Sequence, residues 1–502
     1  MKRAALIVIV AVFCFAGLAG AASAEKVLTV AQVADVSTLD PHKANDVYSA
    51  NVMKQIYNNL VKINDEIEIE ADLAESWENP DEKTWIFHLR KGVKFHNGDE
   101  LTASDVVFSI ERLMSPEMSA PGAYLLQEVD HAVAEDKYTV KIVTKNPFAP
   151  LLSSLARYEM AILNEKTVEA AGEDYAKNPV GTGPFMFESR HYGDRVVLKK
   201  FPDYFEGAAK VDQVVYRAIP EDATRVIELE SGGIDIMYNL PPQEYERLSG
   251  AENLQIYETV GQSTLYIGMD LTHPPFDNQK VRLAMNYAVD KQAIIDAVFF
   301  GKADPSYGPI SPSIWGFDRS LEPVYPYNPE KAAELLKEAG FGNGFDCELW
   351  TDPRTERKSV CEIVQAYLSQ IGINAEIKTM EWGSFLNATK KGSKALFVLG
   401  YTGTGDADGG LFPRFHSSAI QASNRDFYSD EETDALLEKG RTTVDIAARQ
   451  QVYKELQAKL IEEAPNIFIA VPKFMSASRE NVVGFVQYPN NINPLYGVDI
   501  AQ

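Results

Sequence analysis

Cysteine is almost absent from this chain: three in 502 residues, at Cys14, Cys347 and Cys361. That count excludes a disulfide framework, so the fold must stand on its hydrophobic core. Long apolar runs are equally scarce. The one stretch of note, Ala4 to Leu18, is too short to span a bilayer comfortably. Positive charge is in deficit, with 48 Lys and Arg against 72 Asp and Glu and a net charge of −24. So acidic a surface argues against nucleic-acid binding, which needs a basic face, and otherwise bears on solubility and steering. The seven histidines include no His-x-x-x-His pair to anchor a zinc hydrolase. There is no Gly-x-Ser-x-Gly elbow and no Gly-x-x-x-x-Gly-Lys-Ser/Thr loop. Asp406-Ala407-Asp408 opens like a calcium loop, but Ser417 stands where the bidentate glutamate belongs. No metal, cofactor or catalytic residue is therefore expected, although a carboxylate-pair hydrolase is not excluded by so acidic a chain.

What is present starts at the N-terminus. Lys2 and Arg3 precede the apolar run, and small residues ending in Ala22-Ser23-Ala24 follow it. That order is a cleavable secretory signal, with cleavage expected after Ala24 and a soluble exported product. Cys14 lies mid-run behind Phe13, not at a lipoprotein position. Residues 25–502 are too many for one small core, so two or three lobes are expected.

The periodicities give α/β elements. Lys26–Ala31 reads as a short strand, and Asn51–Val61 as a helix with Val52, Ile56 and Leu60 at helical spacing. Trp85, Phe87 and Leu89 alternate with polar or smaller partners as in a half-buried strand. After the Asn97-Gly98-Asp99 turn, Thr102–Met114 is a helix capped by Thr102 or Ser104, burying Val106, Val107, Ile110 and Leu113. Asn328-Pro329-Glu330 opens a helix that Gly340 closes. Beyond it come a strand at 346–350, a helix at 356–371, a strand at 374–379, a short helix at 384–391 and a strand at 395–399. Such alternation implies βαβ units with parallel strands. Cys347 shares a strand face with Phe345 and Leu349, and Cys361 follows Val360 in a helix, so both are expected as unpaired buried thiols. The rival is a strand-to-helix bridge.

Several ordered blocks carry a family resemblance. They are Ala74-Glu75-Ser76-Trp77, Trp85 through Gly98, and Thr102-Ala103-Ser104-Asp105-Val106. Asn178-Pro179-Val180-Gly181-Thr182-Gly183-Pro184-Phe185 and Pro275-Phe276-Asp277-Asn278 through Lys291 continue the series. Together they resemble the family 5 extracellular solute-binding proteins of peptide- and nickel-class ABC importers. The resemblance implies a three-lobed α/β periplasmic binding protein (class II, cluster C type) with mixed sheets and a hinge between two main lobes. Lobe I would comprise 25–70, 183–270 and 479–502, lobe II the insertion 71–182, and lobe III 271–478, with crossings near 270 and 478. It further implies a non-enzymatic, monomeric periplasmic protein that captures a peptide-like ligand, of dipeptide, oligopeptide or glutathione type, for a membrane permease. A metal chelate or an oligosaccharide on the same scaffold is the alternative, and a chaperone or hydrolase the remote one.

In that family the loop Tyr401-Thr402-Gly403-Thr404-Gly405-Asp406-Ala407-Asp408 resembles the one that holds a ligand's amino group. Dipeptide binders carry an aspartate where Thr404 stands, and the run from Thr404 to Asp408 is more similar to the glutathione-type subgroup. Independently of the family, ligands of parallel α/β sheets bind beyond the carboxyl ends of the strands. Arg354, Trp382 and the 401–412 loop follow three such ends. A guanidinium takes a carboxylate through paired hydrogen bonds, and Asp406 or Asp408 could take an ammonium. Arg357 is a close rival of Arg354. Thr38 and Tyr48, after the first strand, are weaker candidates for ligand contact.

Overall fold

A computed structural model describes residues 25–501. The expected signal over 1–24, its cleavage point and Cys14 lie outside the described residues.

The main sheet has twelve strands and is mixed. In one half, Val27–Gln32 lies parallel to both Gln213–Ala218 and Ile236–Tyr238, with Arg195–Lys200 and Phe185–His191 added antiparallel at the edge. In the other half Phe345–Thr351 is flanked by Ile373–Thr379 and Ala395–Thr402, all parallel. Helices Thr355–Gln370 and Trp382–Lys390 alternate with these strands, the βαβ order that the sequence predicts. Ser263–Met269 joins them antiparallel, with Thr264 opposite Tyr401.

One long strand, Ile467–Arg479, belongs to both halves. Its first part pairs with Ser263–Met269, and its second with Ile236–Tyr238 and Leu254–Val260. The partners change beside Gly261, whose N–H donates to the Pro472 carbonyl at 3.0 Å. A Cβ on Gly261 would fall 2.7 Å from that oxygen, so only glycine allows the approach. The hydroxyls of Ser311 and Ser313 close on the Gly261 carbonyl at 2.6 and 2.8 Å. The change of ladder partners therefore sits near 261 and 472. Leu265, Ile267 and Met269 already pack in the core of the second half, and Met475 and Ala477 in a core of the first.

A separate four-stranded antiparallel sheet runs Ala74–Asp81, Thr84–Leu89, Thr139–Thr144, Val129–Ala134. Trp85, Phe87 and Leu89 are buried in its own core, which extends from Leu60 to Ile162 and so begins ahead of residue 71. Helix Ala103–Met114 covers it, and the Asp105 carboxylate accepts from the backbone N–H of Thr102 at its cap. The helix expected over 51–61 is instead Val47–Ile56. Asp46 caps it through the Ser49 N–H, and the chain turns extended at Tyr57 because the Ile56 carbonyl accepts from Gly183. Apolar periodicity continued past Ile56 into a strand, Val61–Ile63, which hid that end. No helix among the described residues is long and apolar enough to cross a membrane.

Cys347 and Cys361 are separate free thiols of the large core, and burial pushes each thiol up to about 12. Unreduced protein should therefore yield both as free thiols once denatured, and react sluggishly with thiol reagents while native. A Cys347–Cys361 disulfide peptide in a digest would overturn this.

Candidate ligand-binding site

The strands Phe345–Thr351, Ile373–Thr379 and Ala395–Thr402 end on one edge of the sheet. There a cavity of about 410 Å³ is lined by Arg354, Glu356, Arg357, Thr402 and Ser263, among others, and it reaches Pro472 at the strand shared by the two halves. Of the residues expected to bind ligand, Arg354 and Thr402 line it directly.

Asp352, immediately after the first of these strands, organises the wall. It is 1% exposed, and its carboxylate accepts four hydrogen bonds. Oδ1 receives the Arg354 backbone N–H at 3.0 Å and Arg354 Nε at 2.8 Å. Oδ2 receives Arg354 Nη2 and Arg357 Nη1, both at 2.8 Å. Burial alone would raise the Asp352 carboxyl, but hydrogen bonds from Arg354 and attraction to both guanidiniums outweigh it and hold it below its usual value. Two cations thus share one buried anion, leaving positive charge over. Arg354 is also the N-cap of helix Thr355–Gln370, and its side chain, which has no acceptor, gives the helix no side-chain cap. The positive end of a sixteen-residue helix therefore opens beside the surplus guanidinium. Arg354 and Arg357 lie over the Trp382 ring at 4.7 and 5.4 Å. Trp382 is 40% exposed and stacks on Phe385, so it is a platform for the arginines more than a core residue.

The 401–408 loop is built differently from the expectation. Asp406 is buried and takes Arg449 in a two-pronged pair at 2.7 and 2.8 Å, and it caps helix Ala407–Phe415 through the Asp408 N–H. Asp408, also buried, takes Arg441 through two bonds of 3.1 Å. Both carboxylates are paired with arginines and hold the loop onto helices Glu431–Thr442 and Ile446–Glu463. These arginines lie more than thirty residues downstream, beyond the reach of any local motif. Thr404 packs against Gly409, where a Cβ would fall 1.9 Å from its hydroxyl. The Thr402 hydroxyl is 2.6 Å from that of Ser263 across the strand pair.

Tyr401 donates to the Gly409 carbonyl at 3.2 Å. Burial pushes its phenol up, and the Tyr124 phenol, from the segment bearing the four-stranded sheet, adds to the rise. Tyr124 is 53% exposed and feels Arg157 and Glu159, themselves paired at 2.6 Å. Sequence reasoning passed over these three, since an aromatic in a polar loop and a local Arg-x-Glu carry no distinguishing signal. The same segment reaches the 401–408 loop again through Ser153, whose hydroxyl is 3.2 Å from Asp406. Thr38 and Tyr48 do not line the cavity. Thr38 accepts from the Asp40 N–H, and Tyr48 stands half-buried near Asp46 and Arg225. Among the described residues no group of three or more His, Cys, Asp or Glu could hold a metal ion.

The family model for bacterial extracellular solute-binding proteins, family 5 Middle, matches residues 68–422. The chain is 34% identical over 480 residues to the glutathione-binding protein GsiB of Salmonella choleraesuis (strain SC-B67), covering 93% of each chain. Among solved structures it is similar to HbpA2 from Haemophilus parasuis, with a TM-score of 0.88 and 30% identity over 95% of this chain and 100% of that one. The periplasmic binding protein DppA from Helicobacter pylori, in complex with the peptide STSA, gives a TM-score of 0.80 and 31% identity, over 95% and 98%.

Asp406→Ala should strand the buried Arg449 guanidinium and destabilise the ligand-free protein by about 3–5 kcal/mol, read as a lower melting temperature. An unchanged ligand-free melting point would show that the pair does not hold the loop.

Proposed function

The chain belongs to the bacterial extracellular solute-binding proteins of family 5, and on that premise we propose that it captures a peptide-like solute by a free carboxylate. Such proteins bind and deliver solute to the permease of an ABC importer; they are not enzymes. The observation that carries the ligand reading is the pair of guanidiniums on the single buried carboxylate of Asp352, beside an uncapped helix N-terminus. An anion with two oxygens completes that arrangement: Arg354 Nη1 and Arg357 Nε and Nη2 make none of the protein's own hydrogen bonds and can serve it. Relatives whose names state glutathione or peptide binding support a peptide-type ligand. A metal chelate is less well supported, because the site offers guanidiniums and hydroxyls.

Ligand contacts are assigned to Arg354, Thr402 and Trp382, with Tyr401 on the side facing Tyr124. Asp406, Asp408 and Thr404 shape the loop instead of touching ligand, and Thr38 and Tyr48 stand outside the cavity. The protein is exported, cleaved after Ala24, and acts as a monomer whose lobes close about the crossings near Gly261 and Pro472.

Arg354 has a side chain 55% exposed, so its removal costs little fold stability. Arg354→Ala should weaken peptide binding by about 2–5 kcal/mol, roughly thirty-fold or more, with a ligand-free melting point near that of the wild type. Calorimetry reads this, and wild-type affinity would place the carboxylate elsewhere. Saturating ligand should also shrink the radius of gyration in small-angle scattering and raise the melting temperature. Identical scattering curves would rule out lobe closure, and a mass of two chains would rule out the monomer.

A further inference from the structure

With Asp406 and Asp408 consumed by Arg449 and Arg441, the ligand's ammonium needs another partner. The acids beside Tyr124 and Tyr48 are also engaged. Glu159 is held by Arg157, and Asp46 caps a helix and accepts from the hydroxyls of Ser37 and Ser49. Asp352 lies behind Arg354 and Arg357 and is saturated by them. Among the residues lining the 410 Å³ cavity one carboxylate remains, that of Glu356. It makes no hydrogen bond or ion pair with any described residue, and it is exposed.

Glu356 shares its cavity with the cationic group. Arg354, Glu356 and Arg357 all come from the start of one helix, where each residue advances the axis by only about 1.5 Å. The free acid and the surplus guanidinium both line the one cavity. An ordinary α-linked peptide carries its ammonium and carboxylate at opposite termini, about 3.3–3.6 Å per residue apart when extended. A tripeptide of that kind would have to fold back on itself to present both charges here. A γ-linked glutamyl residue carries both on one carbon, with the rest of the peptide leaving through its side chain.

We infer that Glu356 is a specificity-determining residue: it takes the ammonium of an α-amino-acid head whose carboxylate sits on Arg354 and Arg357, so that the cavity selects γ-glutamyl peptides over α-linked ones. This rests on the reading of the chain as a peptide-capturing protein and specifies which end of which peptide enters first. The tail of the peptide then points out of the cavity, away from the closed Asp406–Arg449 and Asp408–Arg441 pairs. Substituting Glu356 removes one charge from an exposed position in the first turn of the helix, where it makes no bond, so the fold is spared.

The test is calorimetry on wild type and Glu356→Gln with three tripeptide probes and an α-dipeptide panel. The probes are reduced glutathione, its α-linked isomer Glu-Cys-Gly, and glutaryl-Cys-Gly, which keeps the carboxylate and lacks the ammonium. Wild type should bind glutathione at least ten-fold more tightly than either of the other two probes. Glu356→Gln should lose about ten-fold for glutathione and little or nothing for glutaryl-Cys-Gly, which a merely structural role could not produce. Equal wild-type affinity for the two isomers, or an unchanged affinity for glutathione in Glu356→Gln, overturns the assignment. Binding of α-dipeptides without binding of glutathione overturns it too, while leaving peptide capture intact. If none of these peptides binds, peptide capture itself falls, and the assignment with it.

Discussion

Two halves of this molecule are sewn together by a single strand. Ile467–Arg479 contributes its first residues to one set of ladders and its last to another, so neither half can complete its sheet without it. The close approach of Gly261 to Pro472 fixes where the change of partners occurs, since the gap has no room for a side chain. The cavity lies at this same place, with Pro472 among its walls. A ligand held there would touch the strand that the two halves share. Differential contact with open and closed arrangements is what lets a ligand shift such an equilibrium.

The charges around the cavity divide into two kinds. One kind is structural and internally complete. Asp406 with Arg449 and Asp408 with Arg441 are buried, two-pronged and matched one to one, and Arg449 also donates to the Gly440 carbonyl. Such pairs gain little net stability over apolar packing, yet breaking one leaves a charge stranded in low dielectric. They therefore act as a register lock for the glycine-rich loop. The other kind is deliberately unbalanced. Asp352 faces two guanidiniums, and Glu356 faces none closely enough to bond. Imbalance at a solvent-reachable edge is what a binding site for a charged solute requires, because a site already neutralised from within has nothing left to offer.

Much of this fold was legible in the sequence, and for identifiable reasons. The alternation of Trp85, Phe87 and Leu89, the Asn328-Pro329 helix start and the strand–helix order after residue 345 are short-range patterns imposed by the backbone itself, and the structure follows them. Where the reading slipped, two local signals overlapped. The helix at 47–56 ends because Gly183 supplies a hydrogen bond from far along the chain, while the apolar spacing runs on into the next strand. The change of ladder partners at Gly261 likewise leaves no mark in the spacing of apolar residues.

The sequence by itself determined the family, the α/β class, and the place of Arg354 just past the carboxyl end of a strand. These follow from periodicity, from ordered motif blocks, and from the rule that parallel strands present their carboxyl ends to ligands. Only the tertiary structure decided which charges are free. Arg441 and Arg449 lie in distant helices, and nothing about Asp406 and Asp408 as residues shows that these helices return to claim them. Nor does the sequence show that Asp352 binds two arginines at once, leaving Glu356 unpartnered in the same cavity. The physical reason is that an ion pair depends on distance in space, and distance along the chain fixes that only within a turn or two of helix.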